Sequence, residues 1–413
     1  MTTRYLDFVA DNRRFLAYGF LMALGSSYGQ TFFISVFGGE IRAEFGLTHG
    51  TFGLIYSAAT LVSGFCMIWA GKQIDRVDLR TFTLAVCAGL TVASLLTGWT
   101  SSAVMLGVAI FALRLSGQGL MSHTAMTAMT RYFDRDRGKA ISLANLGFPA
   151  GQAAFPVIGV AMAATIGWRE TWFVLALVMA VGVTPLLLWL LKGHGDRHDT
   201  LIAEIAKAES AAAESAPQPR QWSAAEVRRD ARFWLMAPAV LGLSFVGTGV
   251  VFHQVHLVEV KGWSLGWFAA SYTVMAAASV VTAMIAGPLL DRVSADRMTP
   301  SYQIPALLSL LFLAAGNGLW IVPVYMVLYG VSIGLSRVVI SALWAEWYGV
   351  RHLGAIRALV AAMMVMASAA SPVLFGWMID IGITMNAILY MSAVYTAVSI
   401  GLVFVARRVG VED

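Results

Sequence analysis

The chain has only two cysteines in 413 residues, and both Cys66 and Cys87 fall inside apolar runs, so a disulfide framework is excluded and both read as small packing residues. Charge is also scarce: Asp, Glu, Lys and Arg together make up 12% of the chain, about half the share of an average soluble domain. The first residues, "MTTRYLDFVADNRRF", are polar and charged, with no short apolar core before a small-residue cleavage site, so no cleaved signal peptide is expected. A phosphate-binding Gly-x-x-x-x-Gly-Lys-Ser/Thr element is missing, which argues against ATP hydrolysis by the chain itself. No carboxylate sits in the middle of an apolar run: Glu40, Glu259, Glu346 and Asp380 lie at the predicted run ends.

What is abundant is apolar surface, 58% of residues with a mean hydropathy of +0.73. Runs long enough for a hydrocarbon core of about 30 Å, which takes roughly 20 helical residues, recur throughout. Twelve spans are expected, near 15–38, 50–71, 80–99, 102–130, 138–164, 169–191, 233–258, 264–290, 300–317, 319–345, 353–378 and 383–406. The fold class is therefore all-α integral membrane.

An even number of spans places both termini on one side, and basic residues decide which. Of the 28 Lys and Arg, 23 fall in the loops and termini of one side, which is read as cytoplasmic, and the other side holds Arg42, Arg169 and Lys261. Both termini are expected in the cytoplasm, of a bacterial inner-membrane protein. The excess positive charge follows from this topology, and nucleic acid is not an expected partner. Arg114 and Arg337 remain, both deep inside apolar runs.

The sequence repeats itself. At an offset of 216 residues, Gly46, Gly50, Phe52 and Tyr56 fall over Gly262, Gly266, Phe268 and Tyr272, "AGKQIDR" (70–76) over "AGPLLDR" (286–292), and Pro156 over Pro372. The period is six spans, so both copies cross the membrane in the same direction, as parallel repeats do. The expected organisation is an N-terminal six-helix bundle at 1–191, a cytoplasmic linker at 192–232 and a C-terminal six-helix bundle at 233–413. Part of the linker, "DTLIAEIAKAESAAAE", has the spacing of a surface helix.

The motifs fit this organisation. "GKQIDRVDLR" contains Gly71, Asp75, Arg76 and Arg80, and "GPLLDRVSADR" contains Gly287, Asp291, Arg292 and Arg297. Glycine permits close helix approach, and an Asp-Arg pair at a helix end can lock and release a gate. With twelve spans, two parallel repeats and this loop signature twice, the chain resembles the major facilitator superfamily over essentially its whole length. "RLSGQG", with Arg114, Gly117 and Gly119, resembles the superfamily's fourth-span element, while "GFPAGQAAFPVIG" only partly resembles its antiporter signature, Phe155 standing in place of a glycine. "RYFDRDRGKAISLANLGFPAG" (131–151) is similar to the corresponding segment of the monocarboxylate and oxalate/formate branch.

That resemblance implies a secondary transporter working by alternating access, with spans one, four, seven and ten around a central cavity. It implies no enzyme activity and no cofactor; monomer is the family's usual state. A buried guanidinium, with no buried carboxylate, favours a small organic anion, expected to be a carboxylate moved with or against protons; the alternatives are a multidrug or metabolite exporter, and a non-transporting sensor on the same scaffold. The substrate-binding candidates are Arg337, Arg114, Ser27, Tyr28, Gln30 and Tyr329. Repeat alignment separates the two arginines by about eight helical residues, or about 12 Å, so a small anion would not touch both. His253, His256 and His123 are the candidates for carrying protons; two histidines alone do not make a zinc site. Gating is assigned to Gly71, Asp75, Arg76, Arg131, Gly287, Asp291, Arg292 and Glu346, with Arg131 facing an acid such as Asp75 and Glu346 facing Arg292.

Overall fold

The structure, a computed structural model, describes residues 2–133, 136–195, 222–290, 292–349 and 352–409. The expected linker helix at 199–214 and the gating candidate Asp291 lie outside them. Among the described residues all regular structure is helical. Eleven helices are long and apolar enough to cross a bilayer, and the bent pair Leu6–Gly29 and Thr31–Phe45, with 48° between its halves, brings the number to twelve. After that first span come His49–Asp75, Leu79–Gly98, Ala103–Arg131, Arg137–Ile166, Trp168–Leu190, Ala231–Phe252, Leu265–Leu290, Ala295–Ala315, Ile321–Tyr348, Leu353–Asp380 and Met385–Val409.

The pattern of burial is that of a protein dissolved in lipid. Phe65, Trp69, Val104 and Met284 are each at least 70% exposed, whereas Ser26, Thr83, Ser94 and Ser332 are fully buried. With apolar lipid outside, burying leucine against leucine gives little advantage, so small polar and glycine contacts hold the helices together. Many of the buried hydroxyls donate to the carbonyl one turn back, as Thr97 does to Ala93 at 2.8 Å and Ser94 to Leu90 at 2.9 Å, which satisfies them without a partner helix.

Packing divides the chain into two units. One comprises Met1–Gln30, Val62–Gly151 and Ile166–Pro217; the other comprises Thr31–Leu61, Gln152–Thr165 and Gln218–Asp413. In the first unit the third span packs along the sixth, and the first along the fourth. Its tightest contact is glycine on glycine: a Cβ on Gly29 would lie 2.2 Å from the Leu113 carbonyl, and one on Gly117 2.7 Å from the Gly29 amide. The first span changes to a 3-10 turn over Ser26–Gly29, and the facing stretch of the fourth span, Arg114–Met121, is a π-helix. Both departures from α geometry fall where the two backbones touch, and π-bulges frequently mark functional positions.

In the second unit the eighth span lies along the tenth, with Gly330 and Gly334 under the carbonyls of Met275 and Ser279, and the seventh packs on the eleventh and twelfth. The repeat persists at the level of dihedral angles. The helix breaks at Phe37 (φ −87°, ψ 3°) and at its equivalent His253 (φ −94°, ψ 22°), and closes again at the left-handed caps Gly46 (φ 60°) and Gly262 (φ 69°). The seventh span therefore ends at Phe252, six residues before the expected 258, and the short helix Gln254–Lys261 follows it.

Candidate functional site

Arg337 lies within the span Ile321–Tyr348, about 24 Å along the axis from its start and about 16 Å from its end. Protein surrounds it, yet the side chain's own surface is exposed. Among the described residues its guanidinium has no hydrogen bond or ion pair. The preceding turn, through Gly334, is pressed against Ser279 of the eighth span, which fixes the helix that carries it.

Arg114 has a different setting. It is 4% exposed and donates through Nη1 to the carbonyl of Gly29 at 3.1 Å, at the end of the 3-10 turn. That carbonyl has lost its α-helical partner at the break, and the guanidinium supplies one. Arg114 thus braces the bend of the first span from the π-helix of the fourth.

The other binding candidates divide in the same way. Ser27, Tyr28 and Tyr329 are buried. Tyr28 donates to Leu175 O at 3.3 Å and Tyr329 to Leu243 O at 2.7 Å, while Ser27 Oγ fills the space that a Cβ on Gly151 would need. Gln30 is half-buried at the extended residue of the break (φ −84°, ψ 147°), and its amide bonds Ser27 O at 3.1 Å.

The loop signature is held from the fourth span. His123 Nε2 lies 3.1 Å from the Gly71 carbonyl, which can only accept, so that nitrogen carries the proton. Arg131 approaches Asp75 at 3.5 Å, and Arg76 is exposed. In the second copy, Gly287 has open space where a Cβ would point and Arg292 is exposed. Glu346 accepts from the Ala295 amide at 2.8 Å, at the start of the ninth span, rather than facing Arg292.

At the end of the second unit remote from the termini, the second and eleventh spans cross at van der Waals distance. A Cβ on Gly53 would lie 2.4 Å from the Pro372 carbonyl and one on Gly376 2.4 Å from the His49 carbonyl. Asp380, the last residue of the eleventh span, accepts from the amides of His49 at 3.0 Å and Gly50 at 2.8 Å. A carboxylate there satisfies orphan amides and complements the positive end of the second span.

The end of the seventh span and the short helix after it join this contact. Gln254 donates to Ser35 Oγ at 2.8 Å and accepts from Tyr272 at 2.9 Å, and Phe252 packs between Phe52 and Tyr56. Both histidine candidates of this segment are here. His253 is 4% exposed and donates from Nε2 to Pro372 O at 3.0 Å; His256 is half-buried, its ring centroid 4.5 Å from that of His49. Burial holds the His256 imidazole below its ordinary value, with Glu259 opposing and Arg42 reinforcing the shift. His49 and Asp380 were missed as partners because 331 residues separate them, and only the fold brings them together.

Known proteins resemble this chain in sequence and in shape. The probable sulfoacetate transporter SauU of Cupriavidus necator is 26% identical over 364 residues, covering 84% of this chain and 83% of its own. An uncharacterized MFS-type transporter of Mycobacterium tuberculosis, Rv1250, is 29% identical over 163 residues, 38% of this chain and 28% of that one. Two crystal structures of a bacterial homolog of the human lysosomal transporter Spinster share the fold at 15% identity. The inward-facing, occupied form has a TM-score of 0.69 over 98% of this chain and 97% of that one; the inward-facing, unoccupied form has 0.63 over 96% and 97%. The family model of the Major Facilitator Superfamily matches residues 19–302. Twelve apolar spans, a six-span repeat preserved in backbone geometry and that match together make the chain a multi-pass membrane transporter, not an enzyme, belonging to the Major Facilitator Superfamily.

Proposed function

We propose that the chain is a secondary transporter for a small organic anion bearing a carboxylate or sulfonate, and that Arg337 is its principal binding residue. The observation that carries this reading is the state of Arg337: a permanent cation at mid-span, accessible, with no hydrogen bond or ion pair among the described residues. A charge at that depth costs on the order of 3 kcal/mol on insertion scales, a cost that a structural role would offset with a fixed partner. Arg114 has such a bond; Arg337 is left for a ligand. A planar guanidinium matches the paired oxygens of carboxylate or sulfonate through two parallel N–H bonds. The similarity to a protein named as a probable sulfoacetate transporter supports an anion carrying one or both of these groups.

Transport is by alternating access, with both termini in the cytoplasm of a bacterial inner membrane and the monomer as the working unit. Protons are the coupling ion, and the Asp-Arg loop at Asp75, Arg76 and Arg131 belongs to the gate at the side of the termini. Reconstituted protein should accumulate labelled sulfoacetate or a short dicarboxylate down an imposed proton gradient. Uptake should fall at least tenfold in Arg337→Ala. Equal uptake of lipophilic cations, or undiminished anion uptake by the variant, would contradict the assignment.

A further inference from the structure

We infer that His49 is a proton-binding site whose occupancy opens the seal between the second and eleventh spans. The inference rests on the alternating-access reading, but it is carried by different atoms.

The argument begins with donors and acceptors. Arg42 Nη1 lies 3.1 Å from His49 Nε2. A guanidinium has only N–H groups to offer, so this contact is a hydrogen bond only if Nε2 keeps its lone pair, and His49 is neutral in the structure. Protonation there places two donors and two positive charges face to face at 3.1 Å, turning an attraction into a repulsion.

His253 cannot take the same role from its own geometry. Its Nε2 already donates to the Pro372 carbonyl, so a proton added to the ring leaves that bond in place. His256 lies edge-on against His49 at 4.5 Å, and its ring makes no hydrogen bond among the described residues. The charged and titratable groups around His49 are Arg42 on the helix Gly38–Phe45, His253 at the hinge, His256 and Glu259 on the helix Gln254–Lys261, and Asp380 at the end of the eleventh span.

The position of His49 is what links the proton to movement. It is the first residue of the second span, and its own amide is one of the two that Asp380 accepts from. Its carbonyl is the atom against which Gly376 packs. Displacement of its ring from Arg42 therefore pulls on the turn that makes the latch. Asp380 keeps its negative charge while its oxygens accept from the two amides and attracts a protonated ring, but the Arg42 guanidinium in direct contact with the ring outweighs that attraction. A proton arriving from the side remote from the termini would open that side, and its release to neutral His49 would let the seal re-form.

The test needs no substrate, so it stays informative if the anion assignment fails. Spin labels on Ala43→Cys and Thr384→Cys, in a Cys66→Ala, Cys87→Ala background in nanodiscs, report the distance across the seal by pulsed electron resonance at pH 8 and pH 5.5. The parent should shift from a single short distance to a mixture with at least a fivefold larger long-distance fraction at pH 5.5. His49→Gln, whose amide oxygen can accept from Arg42 but does not titrate, should lose more than half of that response and stay closed. Asp380→Asn should raise the long-distance fraction at both pH values. Should His49→Gln fold poorly, Arg42→Gln serves in its place, since it removes the opposed charge and should flatten the response. Half or more of the response surviving in either variant, or loss of the response in His253→Gln alone, overturns the proposal.

Discussion

The hydroxyl of Ser35 lies 2.9 Å from the carbonyl of Val251, and the two residues are 216 positions apart, the offset that superimposes the halves of the sequence. Equivalent residues of two parallel repeats meet only near the axis that relates them, so this contact marks where the first and seventh spans approach that axis. Gln254 donates to the same hydroxyl at 2.8 Å.

Ser35→Ala should therefore remove an acceptor from a buried amide as well as a donor. The expected cost is about 1–3 kcal/mol, read as a lower midpoint of thermal unfolding in detergent. Ser392→Ala, whose hydroxyl only donates to the carbonyl of Ile388 one turn back at 2.8 Å, is the comparison and should change the midpoint less.

Gly53→Val should prevent the second and eleventh spans from crossing as they do. The added Cβ would lie 2.4 Å from the Pro372 carbonyl, which is backbone and cannot rotate away. Overpacking of this kind costs about 1–3 kcal/mol, so a destabilised closed end is expected. Cross-linking yield between cysteines at positions 43 and 384 should fall. Gly266→Val, at the repeat equivalent of neighbouring Gly50 and with nothing within 4 Å of its Cβ, should leave stability unchanged.

Arg114→Gln should behave as a structural variant. Loss of a charged donor to Gly29 at 3.1 Å is expected to cost about 1.5–3 kcal/mol of stability. The rank order of anions that bind should not change, because the bend, not the substrate, is what Arg114 holds. A switch in anion preference with wild-type stability would reverse the roles assigned to the two arginines.

Arg131 and Asp75 should be coupled weakly. Their side chains are 25% and 70% exposed and 3.5 Å apart, the geometry of a surface pair, for which double-mutant cycles give about 0.2–1 kcal/mol. Charge reversal at either one should slow transport severalfold and the double reversal should restore it, with little change in stability throughout.

The spans were legible because a bilayer imposes one length and one polarity on every crossing. The repeat was legible because Gly46 and Gly262 must both adopt positive φ and few other residues do so. Hydropathy carries the seventh span on to 258 because "VFHQVHLVE" stays apolar across the break at His253. Hydropathy does not register a change in direction. Arg337 stood out by composition alone, whereas the opposite character of Arg114 depended on a carbonyl 85 residues away. Asp380 was visible only as a span-end acid; its part in a latch needs the second span's free amides beside it.

The most direct measurement is thermal stabilisation of the purified protein by a panel of sulfonates, mono- and dicarboxylates, lipophilic cations and neutral drugs, for wild type, Arg337→Ala and Arg337→Lys. The account expects one class of small anion to raise the wild-type midpoint by several degrees, the lysine variant to respond weakly, and the alanine variant not at all. Stabilisation by cations, or by anions to the same extent in all three proteins, would contradict it.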